Sequence, residues 1–194
     1  MKPFRSRRRG GITATFESGE AQLLANLAGQ VVELLRDRNS AGESDPDPLA
    51  AQLGLGGPSL PPEDPVLQRL LPDAYRDDAE EAGEFRRFTE RSLTSAKVAN
   101  AEKLIGSLID GGLEVGALAR DDGPQIEVEL DADEVQAWLR SLTDVRLSLA
   151  VRLGIETEED TMLVGESEDE AIAAMGEIYE WLGYVQESLV TALD

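Results

Sequence analysis

The side chains that could do chemistry in this chain are carboxylates, guanidiniums, ammoniums and hydroxyls, because its 194 residues include no cysteine and no histidine. That composition removes disulfides, thiolate or imidazole zinc sites, and the Ser-His-Asp and Cys-His pairs of nucleophilic catalysis. Three acidic runs remain to be weighed. They are Asp77, Asp78, Glu80 and Glu81; Glu156, Glu158, Glu159 and Asp160; and Glu166, Glu168, Asp169 and Glu170. Carboxylates hold Ca²⁺ or Mg²⁺, but none of these runs has EF-hand spacing with its central glycine. They read as solvated faces or helix N-termini. "GLGG" at 54–57 follows no strand and precedes no Lys-Ser/Thr, so it reads as loop rather than phosphate cradle. No catalytic, metal-binding or cofactor-binding residue is expected.

Positive charge gathers at one end. Lys2, Arg5, Arg7, Arg8 and Arg9 fall within the first nine residues of a chain whose net charge is −21, which leaves −26 over residues 10–194. A basic arm at residues 1–10 suits weak, salt-dependent contact with DNA or another polyanion. The acidic remainder suits solubility and attracts basic partners. Arg140, Asp144 and Arg146 break an otherwise apolar helical stretch. Arg140 and Asp144 are four apart and can pair on one helix face. The trio reads either as an internal salt bridge or as a partner surface. "SLTSAKVANAEKL" at 92–104 has helical pattern near a turn, but Lys97 and Lys103 are too few for a helix that reads DNA.

These groups must be positioned by elements that the hydrophobic spacing predicts. "GITATF" (11–16) and "QIEVEL" (125–130) alternate apolar and polar residues and predict two strands, paired as a small two-stranded ribbon on helices. Leu24, Leu27, Val31 and Leu34 predict a helix over about 19–38, with Ser18 as its cap. Residues 39–64 are rich in Pro, Gly, Ser and Asp and predict a long loop, with one helical turn over Leu49–Leu53 after Asp47-Pro48. Pro65 starts and Pro72 stops a short helix that buries Val66 and Leu70. Residues 77–109 read as helix, with a break near Arg91–Ser95 that Ser92 or Thr94 would cap. Gly111-Gly112 ends it. Asp131 and Glu134 form a capping box for a central helix carrying Val135, Trp138, Leu142, Val145 and Leu149. Residues 154–170 read as an acidic linker, and a last helix runs from about Asp169 to Leu193. The fold class is mainly α: one helical domain over 11–194. The apolar stripes of the last two helices leave homodimerisation open. There is no run of about 18 apolar residues to span a membrane, and no apolar stretch after the basic start to act as a secretory signal. A cytoplasmic location is expected.

Four segments carry a family resemblance: "AWLRSLTDVRLSLAVRLGI" (137–155), "YEWLGYVQESLVTAL" (179–193), "GEAQLLANLAGQVVELLRDR" (19–38) and "DPVLQRLLPDAY" (64–75). Together with the basic start, they resemble an actinobacterial family catalogued as a domain of unknown function, some members of which are described as oxidative-stress-responsive transcription regulators. The resemblance covers about residues 2–193. It implies a mostly helical domain that acts without catalysis, by contact with a sigma factor or RNA polymerase. An alternative that it implies is an interaction module linked to Clp-type proteolysis. One departure stands out. A disulfide switch proposed within the family has no cysteine to form here, and Met1, Met162 and Met175 are the only sulfur-bearing residues.

Overall fold

Alternation at 12–16 and 126–130 yields strands whose apolar residues face inward. In the computed structural model, which describes residues 1–7, 10–41, 57–114 and 123–194, Ile12, Ala14 and Phe16 are buried on one strand and Ile126, Val128 and Leu130 on the other. The two pair antiparallel, from Ile12 opposite Leu130 to Phe16 opposite Ile126. The expected two-stranded ribbon is corrected to three strands. Lys2–Ser6, read as part of a basic arm, forms β1, which pairs antiparallel with β2 (Ile12–Phe16). The strand order is β1-β2-β3, with β3 spanning Ile126–Leu130. Gly10 and Gly11 take φ of 87° and 82° between β1 and β2, a region open to glycine at no steric penalty.

Six helices are described: α1 (Ser18–Ala41), α2 (Pro65–Leu70), α3 (Ala79–Asp110), α4 (Ala132–Leu153), α5 (Glu158–Gly165) and α6 (Glu170–Thr191). Local chemistry sets their starts. Asp64 accepts from the Val66 and Leu67 amides ahead of Pro65 at the start of α2. Asp131 and Glu134 form the expected capping box on α4. Gly154, at φ 69°, ends α4 in the left-handed conformation. Two expectations fail. α3 runs unbroken through 91–95: Ser92 bonds back to the Thr89 carbonyl instead of capping a new helix, and Thr94, the other candidate, is buried within α3. The acidic linker contains α5, started by a second capping box between Thr157 and Asp160. The helical turn expected over Leu49–Leu53 lies outside the described residues.

α4 is central, packing against α1, α2, α3 and α6 and touching β3. Its Trp138 is fully buried, with Phe4 at 5.5 Å and Phe16 at 5.8 Å between ring centroids. Its indole N–H donates to Ser107 Oγ at 2.8 Å, satisfying the polar atom that burial would otherwise strand. Phe4 ties β1 into this core. α6 packs against β1, α4 and α5. No described helix is long and apolar enough to cross a membrane.

Candidate functional site

α4 and α6 pack against each other, and residues 154–156 of the α4–α5 turn lie beside them. Between them lies an open groove of about 1580 Å³. α4 contributes Leu147 with Ala150 and Val151, which lie three and four residues beyond it on the same face. α6 contributes Tyr179, Gly183 and Val190 at the same kind of spacing. Thr157 and Met162 come from the start and middle of α5. Four carboxylates, Glu156, Glu158, Glu180 and Glu187, stand against two guanidiniums, Arg69 and Arg146. Arg146 is already engaged. Its Nη1 donates to Gln186 Oε1 at 2.9 Å, and its guanidinium carbon lies 5.0 Å from the Tyr179 ring centroid, a cation–π contact. Asp160, half-buried beside the groove, has its carboxyl pKa lowered by hydrogen bonds from the Glu156 amide, the Thr157 hydroxyl and the Thr157 amide.

The trio singled out in the sequence is only partly brought to this groove. Arg146 lines it, while Arg140 is exposed and does not. The pairing of Arg140 with Asp144 is corrected: Asp144 is buried and accepts from Lys97 Nζ of α3 at 2.6 Å. Burial raises the Asp144 pKa, and Lys97 offsets part of that rise. Lys97 is therefore spent on an interhelical pair and is not available to a DNA-reading face.

The described basic residues near the start stand on β1 or directly after it. Lys2 Nζ donates to Gln125 at 3.2 Å, Arg7 pairs with Glu129, and Arg5 is exposed. Arg8 and Arg9 lie outside the described residues.

A second polar constellation escaped sequence reasoning. Glu90, buried on α3, accepts from Arg38 Nε of α1 at 2.8 Å and from Arg86 Nη1 one turn away. Arg86, also buried, donates through Nη2 to Asp73 Oδ1 at 2.6 Å and to the Leu71 carbonyl at 3.1 Å. Arg38 Nη2 reaches the Leu60 carbonyl at 2.5 Å. Burial disfavours the Arg86 charge, but Asp73 and Glu90 outweigh it and raise its pKa. The network clips the chain around 60 and 71–73 to α1 and α3. Its carboxylates face guanidiniums, not each other, so they do not form an acid–base pair. The available signal was the Arg86/Glu90 spacing of four residues within a charged run. Among the described residues no group of three or more acidic side chains is arranged to hold a metal ion.

A family model described as "Domain of unknown function (DUF2017)" matches residues 1–193. The chain is 34% identical over 184 residues to the oxidative stress regulator AosR of Mycobacterium tuberculosis (strain ATCC 25618 / H37Rv), covering 90% of this chain and 78% of that protein. It is 30% identical over 183 residues to the putative oxidative stress regulator AosR of Mycobacterium leprae (strain TN), with the same coverage of each. These relatives are named as regulators and not as enzymes. No solved structure matches.

Proposed function

The chain belongs to the DUF2017 family, and from that premise we propose that it is a non-enzymatic regulator of the stress response that works by contact with a sigma factor or RNA polymerase. The observation that carries this reading is the similarity to proteins named oxidative stress regulators along 90% of the chain. The site chemistry agrees with it. The groove between α4 and α6 offers apolar side chains and carboxylates, and the Thr157 hydroxyl that lines it is engaged with Asp160 in a helix capping box. Surfaces of this kind bind protein segments.

Exposed Lys2 and Arg5 on the edge strand β1 supply a secondary contact to DNA phosphates. Removing residues 2–9 would also remove the buried Phe4, so the contact is tested with Lys2→Gln/Arg5→Gln instead. That variant should bind promoter DNA less tightly while its thermal unfolding is unchanged. Equal DNA binding would take β1 out of the mechanism.

The principal test is recovery of the tagged protein from its own cells after crosslinking, with and without peroxide. Sigma factor or polymerase subunits are expected in the recovered complex. Recovery of Clp-type protease components in their place would overturn the reading in favour of a proteolysis-linked module.

A further inference from the structure

The geometry points to the groove between α4 and α6 as the seat of a basic, amphipathic helix of a partner protein, an inference that rests on the reading of the chain as a contact regulator. Size is the first argument. Small-molecule pockets run about 300–1,000 Å³, and this groove holds about 1580 Å³. Tyr179 to Val190 spans about three helical turns, roughly 16 Å at 1.5 Å per residue. A trough between two packed helices offers ridges spaced three and four residues apart, into which a third helix docks.

The lining supplies the second argument. Ala150 keeps part of the floor low, while the Arg146 guanidinium lies over Gly183. Met162, Tyr184 and Val190 stand about the groove with 69%, 48% and 49% of their surface exposed. These are large apolar side chains left in water, which an apolar helix stripe would cover.

Charge selects the occupant. Glu156, Glu158, Glu180 and Glu187 outnumber Arg69 and Arg146, and Arg146 is held by Tyr179 and Gln186. The partner helix must therefore carry Lys or Arg beside its apolar stripe. A nucleic acid would meet the same carboxylates as repulsion. A second copy of this chain, at −21, would bring mostly acidic surface to an acidic rim.

The test uses the full chain and a fluorescent peptide of about 18 residues with leucines at i, i+3, i+4 and i+7 and lysines and arginines elsewhere. A second peptide has the same composition but scrambled order, so it keeps the charge and loses the apolar stripe. Fluorescence anisotropy reads binding. The ordered peptide is expected to bind and the scrambled one to bind at least about tenfold more weakly. The double variant Glu180→Lys/Glu187→Lys, both positions exposed, should weaken the ordered peptide by about tenfold or more, while Glu80→Lys/Glu81→Lys on α3 should leave it unchanged. Circular dichroism checks that each variant is folded. Three results would overturn the inference: equal binding of both peptides, equal effects of the two charge reversals, or light scattering that shows a dimer dissolved by Glu180→Lys/Glu187→Lys. The crosslinking experiment separates this inference from the broader one. If polymerase or sigma factor is recovered equally with Glu180→Lys/Glu187→Lys, the regulator reading stands and the groove falls. If the peptide result holds but no transcription protein is recovered, the groove stands and the regulator reading falls.

Discussion

Substituting Glu90→Leu should destabilise the protein far more than removing Glu90 and Arg86 together. Both side chains are buried, with 3% and 5% of their surface exposed. Loss of the Glu90 carboxylate leaves the Arg86 guanidinium without its buried counter-charge. Breaking a buried pair in this way costs about 3–5 kcal/mol. Arg86 keeps Asp73 and the Leu71 carbonyl, and Arg38 keeps the Leu60 carbonyl, so the low end of that range, about 3 kcal/mol, is expected. For a chain of this size that lowers Tm by about 6–12 °C. In Arg86→Met/Glu90→Leu the Arg86 charge is gone, Asp73 is 41% exposed, and Arg38, 15% exposed, keeps the Leu60 carbonyl. The double variant should lose about 1 kcal/mol or less, giving a coupling of at least about 2 kcal/mol in the cycle completed by Arg86→Met. The assay is urea unfolding followed by the fluorescence of Trp138 and Trp181. If the double variant is less stable than Glu90→Leu, or the two single losses simply add, Arg86 and Glu90 do not act as one buried unit and the reasoning fails.

Two further outcomes follow from the packing and the titration. A Cβ at Gly111 would lie 2.7 Å from the Glu127 carbonyl oxygen, so Gly111→Ala should push α3 from β3 and cost about 1–3 kcal/mol, read as a lowered Tm. The Asp144 pKa is raised on folding, so the folded chain holds more protons there and stability falls as pH climbs from 3.8 through the folded value. Asp160 has the opposite sign, its contribution being lost as pH falls through its lowered value. Urea midpoints from about pH 4 to 7 should therefore decline less steeply in Asp144→Asn than in the wild type, and parallel curves would contradict the assignment.

What the sequence made legible depended on whether the signal was local. Alternation placed β2 and β3, and Asp131 with Glu134 placed the start of α4, because those patterns lie within a few residues. β1 was hidden because "KPFRS" has one apolar side chain that it buries, Phe4, among charges that suggested a solvated arm. The Gly10-Gly11 turn ahead of a clear strand was the usable sign of a hairpin. α5 was hidden by its own carboxylates, although Thr157 and Asp160 have capping-box spacing. Ser92 and Thr94 suggested a helix boundary, but the Ser92 hydroxyl bonds back within the helix, and Thr94 is buried in the middle of α3. The partner of Asp144 was not legible at all. Helix spacing nominates Arg140, yet the protein folds Lys97 onto it from 47 residues away, and only the packing of α3 on α4 decides between them. The groove is a product of that same packing. Its residues were visible as separate stripes, but not the trough they make together.

Basic strand and acidic body are reconciled by the same geometry. An edge strand exposes unpaired backbone groups, and cationic side chains along it discourage another strand from adding there. Lys2, Arg5 and Arg7 stand on β1 or directly after it. Arg7 is partly neutralised by Glu129, and Lys2 by no more than a neutral Gln125 side chain. The acidic groove draws its charge from elsewhere, the α4–α5 turn and the outer side of α6. Screening over about 8 Å at physiological salt keeps such patches nearly independent wherever they lie further apart than that. Net charge alone would predict one sign of surface throughout, whereas basic side chains stand on β1 and acidic ones line the groove.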